Sequence, residues 1–454
     1  TQWLSEKLNI AAENLPHPEC KSFNEFFAEA NPAGATLVFP VAYLNSPSSM
    51  FGHTFLRIDK VGQTENTRLV AQSINYAASP NTQDGEIVFA WKGVFGGYPG
   101  NFSILPYYLK VKEYRDWESR DVWEFKLNLT EAETRQLVRH VWELKDVQFD
   151  YYFLKENCSY RTLELLDAVR PDTHLHDQFA HWAIPVDTVR AVEAAGMVQS
   201  REFRPSAMQL VRNGLDQLSA EEQAQVLALA ETKTDTPAWQ HWVATLQSKP
   251  VERQQAVLET AYEYLRLKVQ IDKLTREETA EQSLALLKMR SALASGSPLT
   301  APALPAVRDD QAHQTSRYSF RAGQADNFNF VELGWRPAFH TLTDPFEGFP
   351  TGAQIKFLDT TLRAWEKDAE ASVELERLDL INVTALTRYD RFFQPWSWQA
   401  NVGARRQHAP EENGERPLVG HFDLSGGINF NLFDSLSSYA LLGGASSFLL
   451  PDHA

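Results

Sequence analysis

An α+β fold with an appended all-β region is what the sequence predicts, on three grounds. Residues 35–129 carry short β-rich runs bounded by turn residues, and helical periodicity follows up to residue 170, the element order of an α+β domain. Residues 184–295 keep a helical apolar period with start and stop signals. After His313 the period falls to two. The expected division is a helical lead-in at 1–34, an α+β domain at 35–182, a helical region at 183–295, a linker at 296–312 and a β-rich region at 313–454.

Composition narrows the function classes. The 454 residues are too many for one ordinary core. A formal charge of −16 argues against a nucleic-acid partner and against strong attraction to anionic headgroups through net charge. Aromatics at 12%, with Trp 12 and Phe 27, are a surplus that needs a location. Only Cys20 and Cys158 are present, which excludes a disulfide framework and a multi-thiolate zinc site, and no metal or cofactor is expected. No run of 18 or more apolar residues exists, so a transmembrane helix is excluded. The opening T-Q-W-L-S-E-K-L has no initiator Met and no apolar h-region, and an N-terminal piece is expected to be missing.

Residues 1–31 read as a short helical lead-in punctuated by Pro16, Pro18 and Pro32. A-T-L-V-F-P-V-A-Y-L (35–44) and M-F-G-H-T-F-L-R-I (50–58) read as strands around the turn N-S-P-S-S, with His53 on the face of Phe51 and Phe55. Residues 69–77 and 86–91 read as two further strands. K-G-V-F-G-G-Y-P-G-N (92–101) lacks the phosphate-loop pattern and opens no helix, so it reads as a mobile or tightly turned loop. Residues 123–129 alternate as a strand, and Thr130-x-x-Glu133 is a capping box for a helix to about Lys145.

Y-Y-F-L-K-E-N-C-S-Y-R (151–161) then places Cys158 at a helix start. Tyr160, Leu163, Leu166 and Val169 keep the helical period, Pro171 stops it, and Asn157 is the N-cap. His174, His176 and His181 follow as loop histidines without metal-ligand spacing. In the helical region, residues 187–195 stop at Gly196, Ser219-x-x-Glu222 caps another helix, and 251–269 and 277–293 continue the pattern. G-S-P-L-T-A-P-A-L-P (296–305) is a linker.

Beyond it, Phe422, Leu424, Gly426, Ile428, Phe430 and Leu432 alternate with Asp423, Ser425, Asn429 and Asn431. Trp396, Trp398, Ala400 and Val402 repeat the alternation, as do Phe328 and Phe330, with Leu333 and Trp335 in the other phase. Strands of this kind fit an outer-membrane β-barrel, and a soluble sandwich shares the alternation. Aromatic residues near strand ends favour the barrel. The ending P-D-H-A lacks a clear terminal strand, so the barrel-like region is expected to be truncated.

A thiol at a helix N-terminus meets unpaired N–H groups and the positive end of the dipole, which favour the thiolate and a lowered pKa. An imidazole on a sheet beside it would take the proton. Here the histidine precedes the cysteine, the reverse of papain's order, so a circularly permuted papain-like fold is required. Relatives of lecithin:retinol acyltransferase have that permutation, and His53 and Asn157-Cys158 match it. S-M-F-G-H-T-F-L-R-I-D (49–59), I-N-Y-A (74–77), G-G-Y-P-G-N-F (96–102) and 151–161 resemble, in order and spacing, the Lnb N-terminal periplasmic domain family. Ala77 departs from that pattern, where Gly is usual.

The resemblance implies a papain-like (NlpC-type) thiol site in the periplasm and acyl transfer from lipid to lipoprotein. Carried over, Cys158 is the acyl-accepting nucleophile and His53 the general base. The residue orienting the imidazole is Asn75, or Gln72 if the register slips by one. Tyr151 and Arg161 also match the motif; the plainer roles are a core aromatic and an ion pair. Three functions compete: a thiol acyltransferase or lipid acyl hydrolase on a lipid or lipoprotein substrate, anchored at the outer membrane by the C-terminal region; a peptidoglycan amidase or endopeptidase of the same fold; and an outer-membrane binding or structural protein with a silent cysteine.

Overall fold

The computed structural model describes residues 5, 8–11, 19–44, 49–80, 83–272, 274–325, 328–367, 370–407, 416–433 and 436–450. Two antiparallel sheets organise them, with helices interleaved among the strands of the first and a helical region between the two.

The first sheet has the order β6-β4-β3-β2-β1-β5-β7. Its strands are β1 (Pro32–Pro40), β2 (Phe55–Lys60), β3 (Gln72–Ala78), β4 (Tyr98–Pro106), β5 (Val122–Leu127), β6 (Gln148–Tyr151) and β7 (Val198–Arg204). Leu37, Phe39, Leu56, Ile58, Phe125 and Leu137 are almost fully buried in one core, and each such side chain contributes about 1.5–3 kcal/mol. Helix α1 (Lys21–Ala30) lies in the lead-in, and its Phe26 stacks on Trp142 at 5.0 Å. Helix α2 (Glu86–Phe95) follows β3, the short helix α3 (Tyr107–Val111) follows β4, and α4 (Glu131–Leu144) starts at the Thr130–Glu133 capping box, both of whose bonds form.

Three expectations change here. Residues 86–91 form the start of α2 rather than a strand: Val88, Trp91 and Phe95 share its outer face, while Phe89 turns inward onto Phe153 at 5.2 Å. The apolar run suits either element, and packing decides. Within 92–101, Gly96 (φ +82°) ends the helix, and the segment from Tyr98 onward is strand β4 rather than loop. Strand β7 lies inside the stretch expected to be helical and pairs with β5, so the first sheet draws on residues beyond 182.

The helical region comprises α7 (Ala207–Asp216), α8 (Ala220–Glu231), α9 (Pro237–Gln247), α10 (Val251–Ile271) and α11 (Arg276–Ser291) around a core that includes Val226, Leu229, Val257, Ala261 and Leu286. Ser219 and Glu222 make the expected capping box. Phe393, from the connection between two strands of the second sheet, enters this core.

The second sheet has the order β15-β14-β13-β12-β11-β9-β8, with β10 added to β11. The strands are β8 (Arg317–Ala325), β9 (Phe328–Arg336), β10 (Ala338–His340), β11 (Ala353–Lys367), β12 (Glu370–Ala385), β13 (Ser397–Arg406), β14 (Leu418–Phe433) and β15 (Leu436–Leu449). Among the described residues β8 and β15 do not pair, so the sheet is open rather than a closed barrel. Its alternation is inverted relative to a soluble core. Phe422, Leu424, Ile428, Phe430 and Leu432 are 38–53% exposed, whereas His421, Asn429 and Asp379 are 2–5% exposed. At its base, Phe339, Ile355 and Val383 join the core of the first domain, and Phe51 meets Phe339 at 5.6 Å. Arg190 fixes the chain entering the sheet by donating to the carbonyls of Asp309, Asp310, Ala312 and His313.

Candidate functional site

Cys158 opens helix α5 (Cys158–Val169) as expected, and Asn157 explains why the helix begins there. The Asn157 backbone is extended, and its Oδ1 accepts from the N–H groups of Ser159 (3.0 Å) and Tyr160 (3.1 Å). Its Nδ2 donates to the carbonyls of Phe153 (3.0 Å) and Ala183 (2.7 Å). Asn157 is therefore a buried brace between α5, the segment before it and the entry to α6 (Pro185–Ala194).

His53 lies just before β2, where its N–H donates to the Pro40 carbonyl at 3.2 Å. Its ring Nε2 bonds Asn75 Oδ1 at 2.7 Å in a buried contact. An amide oxygen only accepts, so Nε2 carries the proton and Nδ1 is left as the free base. Asn75 on β3 is thus the imidazole's partner, while Gln72, three residues earlier and half-exposed, is paired with Ile58 and Pro106 at the other end of the strand.

The strand and the helix meet through the neighbours of the two reactive residues. Thr54 Oγ1 donates to Ser159 Oγ at 2.9 Å, which sets His53 and Cys158 side by side. Cys158 Sγ lies 3.8 Å from Ser159 Oγ, and the Thr54 N–H and the Tyr151 hydroxyl also point to it. Tyr151 is buried, stacked on Tyr76 at 5.6 Å, and its hydroxyl is spent on the thiol. Arg161 makes ion pairs with Glu156 and Glu164, both at 2.8 Å, and lies 4.6 Å over the Phe149 ring.

The electrostatics reverse one expectation. Burial pushes the Cys158 thiol up, and the donors from Thr54, Ser159 and Tyr151 offset only part of that. The helix end does not win because the sulfur is almost fully withdrawn from water, at 2% exposure for the residue. Burial likewise pulls His53 down to about 3, helped by the positive charges of Lys110 and Arg120 and opposed by the bond to Asn75. At neutral pH the pair is a thiol beside a neutral imidazole, not an ion pair.

Tyr114, Lys110 and Arg120 complete the surroundings and were not legible in the sequence. The Tyr114 ring lies 5.6 Å from that of His53, with Lys110 and Arg120 over it at 5.4 and 4.9 Å. Arg120 donates to the Pro40 and Val41 carbonyls at 2.8 and 2.6 Å and lines a cavity of about 400 Å³ at the junction of the three regions. Thr54 and Ser159 could have been suspected from their places beside His53 and Cys158; Arg120 carried no such signal. Both cysteines are free. His176 bonds Asp167 (2.5 Å) and His174 bonds Asp177 (3.0 Å), carboxylate partners that sequence spacing did not reveal.

No curated protein and no solved structure matches the chain. Residues 201–302 match a domain of unknown function (DUF7842), and residues 306–448 match another (DUF7840). Residues 22–195, which hold the whole thiol, imidazole and amide arrangement, match the Lnb N-terminal periplasmic domain, and the first domain is similar to that family.

Proposed function

We propose that the first domain is a cysteine acyltransferase or lipid acyl hydrolase that works through an acyl-thioester on Cys158. The observation that supports this most is the 2.7 Å bond from His53 Nε2 to Asn75, because it leaves Nδ1 as a neutral base beside a thiol at a helix N-terminus. In the reading we favour, Nδ1 takes the thiol proton as Sγ attacks an ester carbonyl. The Cys158 N–H steadies the oxyanion, the C–O bond breaks, and the alkoxide leaves with the proton from the imidazolium. An amine or water, giving its proton to Nδ1, then attacks the thioester; the C–S bond breaks, and the sulfur leaves with that proton as the thiol. This order of groups is that of a permuted papain-like site. Since Cys158 and His53 are 2% and 6% exposed, acylation requires the cover over them to part.

The setting we infer is the periplasm, as the description of the matched domain suggests, with the second sheet against the outer membrane. No described helix is long and apolar enough to cross a membrane. The inverted sheet supports the inference: apolar side chains face out and polar ones are withdrawn, the distribution of a lipid-facing β-barrel wall. Closure of such a wall would require β8 and β15 to be joined, directly or through further strands.

The test is to incubate the protein with phospholipid vesicles and look for acyl mass on Cys158 by peptide mass spectrometry. An adduct in the wild type that is lost in Cys158→Ser and slowed in His53→Ala is the expected result. Absence of an adduct together with cleavage of muropeptides would overturn the lipid reading in favour of peptidoglycan hydrolysis.

A further inference from the structure

On the withdrawn face of the second sheet, Arg317 and Arg336 are directly opposed across β8 and β9. Like charges so placed repel, and Asp344 lies between them, accepting from each at 2.6 Å. Along the same face Lys356 and Arg377 stand against Asp359 and Asp379. With Arg321 these cations bound a pocket of about 280 Å³ whose lining contains one carboxylate, Asp359, and several threonine hydroxyls.

The acids do not use up the donors. Arg336 is only 4% exposed, yet its Nε has no hydrogen-bond partner, and the Nε of Arg377 is also unpaired. A buried guanidinium N–H without an acceptor is costly, and both of these guanidiniums border the pocket.

A cation is the rival occupant, because His313, His340 and Asp344 place donor atoms within 4.8 Å of one another. Two facts weigh against it. The oxygens of Asp344 already accept from Arg317, Arg336 and the Thr341 N–H, and two guanidiniums beside a divalent ion would repel it. The histidines satisfy each other: His313 Nδ1 donates to the Gln314 carbonyl, so its Nε2 accepts from His340 Nδ1 at 2.8 Å.

We propose that this pocket binds a phosphoryl anion, the headgroup phosphate of a phospholipid or free phosphate. Guanidinium forks match phosphate oxygens in geometry and charge. The inference does not depend on the thiol chemistry, and Cys158→Ser should leave the binding unchanged.

Calorimetric titration of the full chain with inorganic phosphate, and separately with dihexanoyl phosphatidylglycerol below its micellar concentration, tests it. Dihexanoylglycerol, which lacks the phosphate, is the control. Saturable binding that weakens tenfold or more in Arg317→Gln/Arg377→Gln supports the site. Those side chains are 50% and 39% exposed, so the fold should tolerate the change, as an unaltered melting curve would verify. Tighter binding of the phospholipid identifies a headgroup site, and equal binding identifies free phosphate. No saturable binding of either, or equal affinity in the double variant, overturns the proposal.

Discussion

Replacing His53 by Gln should remove an acid-linked weakness from the first domain. In the folded chain His53 is held to about 3, against 6.5 for a free imidazole, chiefly by burial. Between those values the unfolded state binds a proton that the folded state does not, so stability falls as pH falls through that window and levels off below about pH 3. From pH 6.5 to 4.5 the linkage amounts to about 2 kcal/mol, or roughly a 50-fold larger open fraction. The two cysteines provide the assay. Cys158 is buried and Cys20 exposed, so the ratio of their labelling rates with a dithiodipyridine reports opening around Cys158, with Cys20 correcting for the intrinsic pH dependence of the reagent. The wild-type ratio should rise by that factor on acidification beyond any rise in His53→Gln. Parallel curves for the two proteins would refute the reasoning.

Three further outcomes follow from the packing. Asn157→Ala removes an N-cap and leaves two buried carbonyls unbonded, and should cost about 2–4 kcal/mol in guanidinium unfolding; Asn157→Ser keeps the cap alone and should fall between. A Cβ at Gly93 would lie 2.2 Å from the Phe153 ring, so Gly93→Ala should destabilise by about 1–3 kcal/mol and speed Cys158 alkylation as α2 shifts. Glu124 is buried and accepts from Arg57, Arg204 and the Tyr107 hydroxyl; Glu124→Gln should lower stability by about 1–3 kcal/mol in thermal unfolding, since Arg204 loses its carboxylate while Arg57 keeps Asp59.

What could be read in advance was local. The cap at Asn157, the boxes at Thr130 and Ser219, and the start of α5 depend on residues within a few positions of one another, and each formed. The His53–Asn75 pairing could be narrowed to two residues because only strand register was missing. Features set by distant partners were not legible. Residues 86–91 are a helix because Phe89 and Gly93 fit Phe153. The thiol is pushed up rather than down because α5 is covered, which no helix-terminus argument contains. Alternation in 418–433 was plain, but which face meets solvent was not.

Strand β7 has a practical consequence for dissecting the molecule. It is the outermost strand beside β5, and its residues separate α6 from the helical region. A fragment cut after Gly196 would strip the strand away and leave the backbone of Val122–Leu127 as an unprotected edge, an invitation to intermolecular pairing. A fragment extended through Arg204 keeps that edge covered, and its solubility should exceed that of the shorter one.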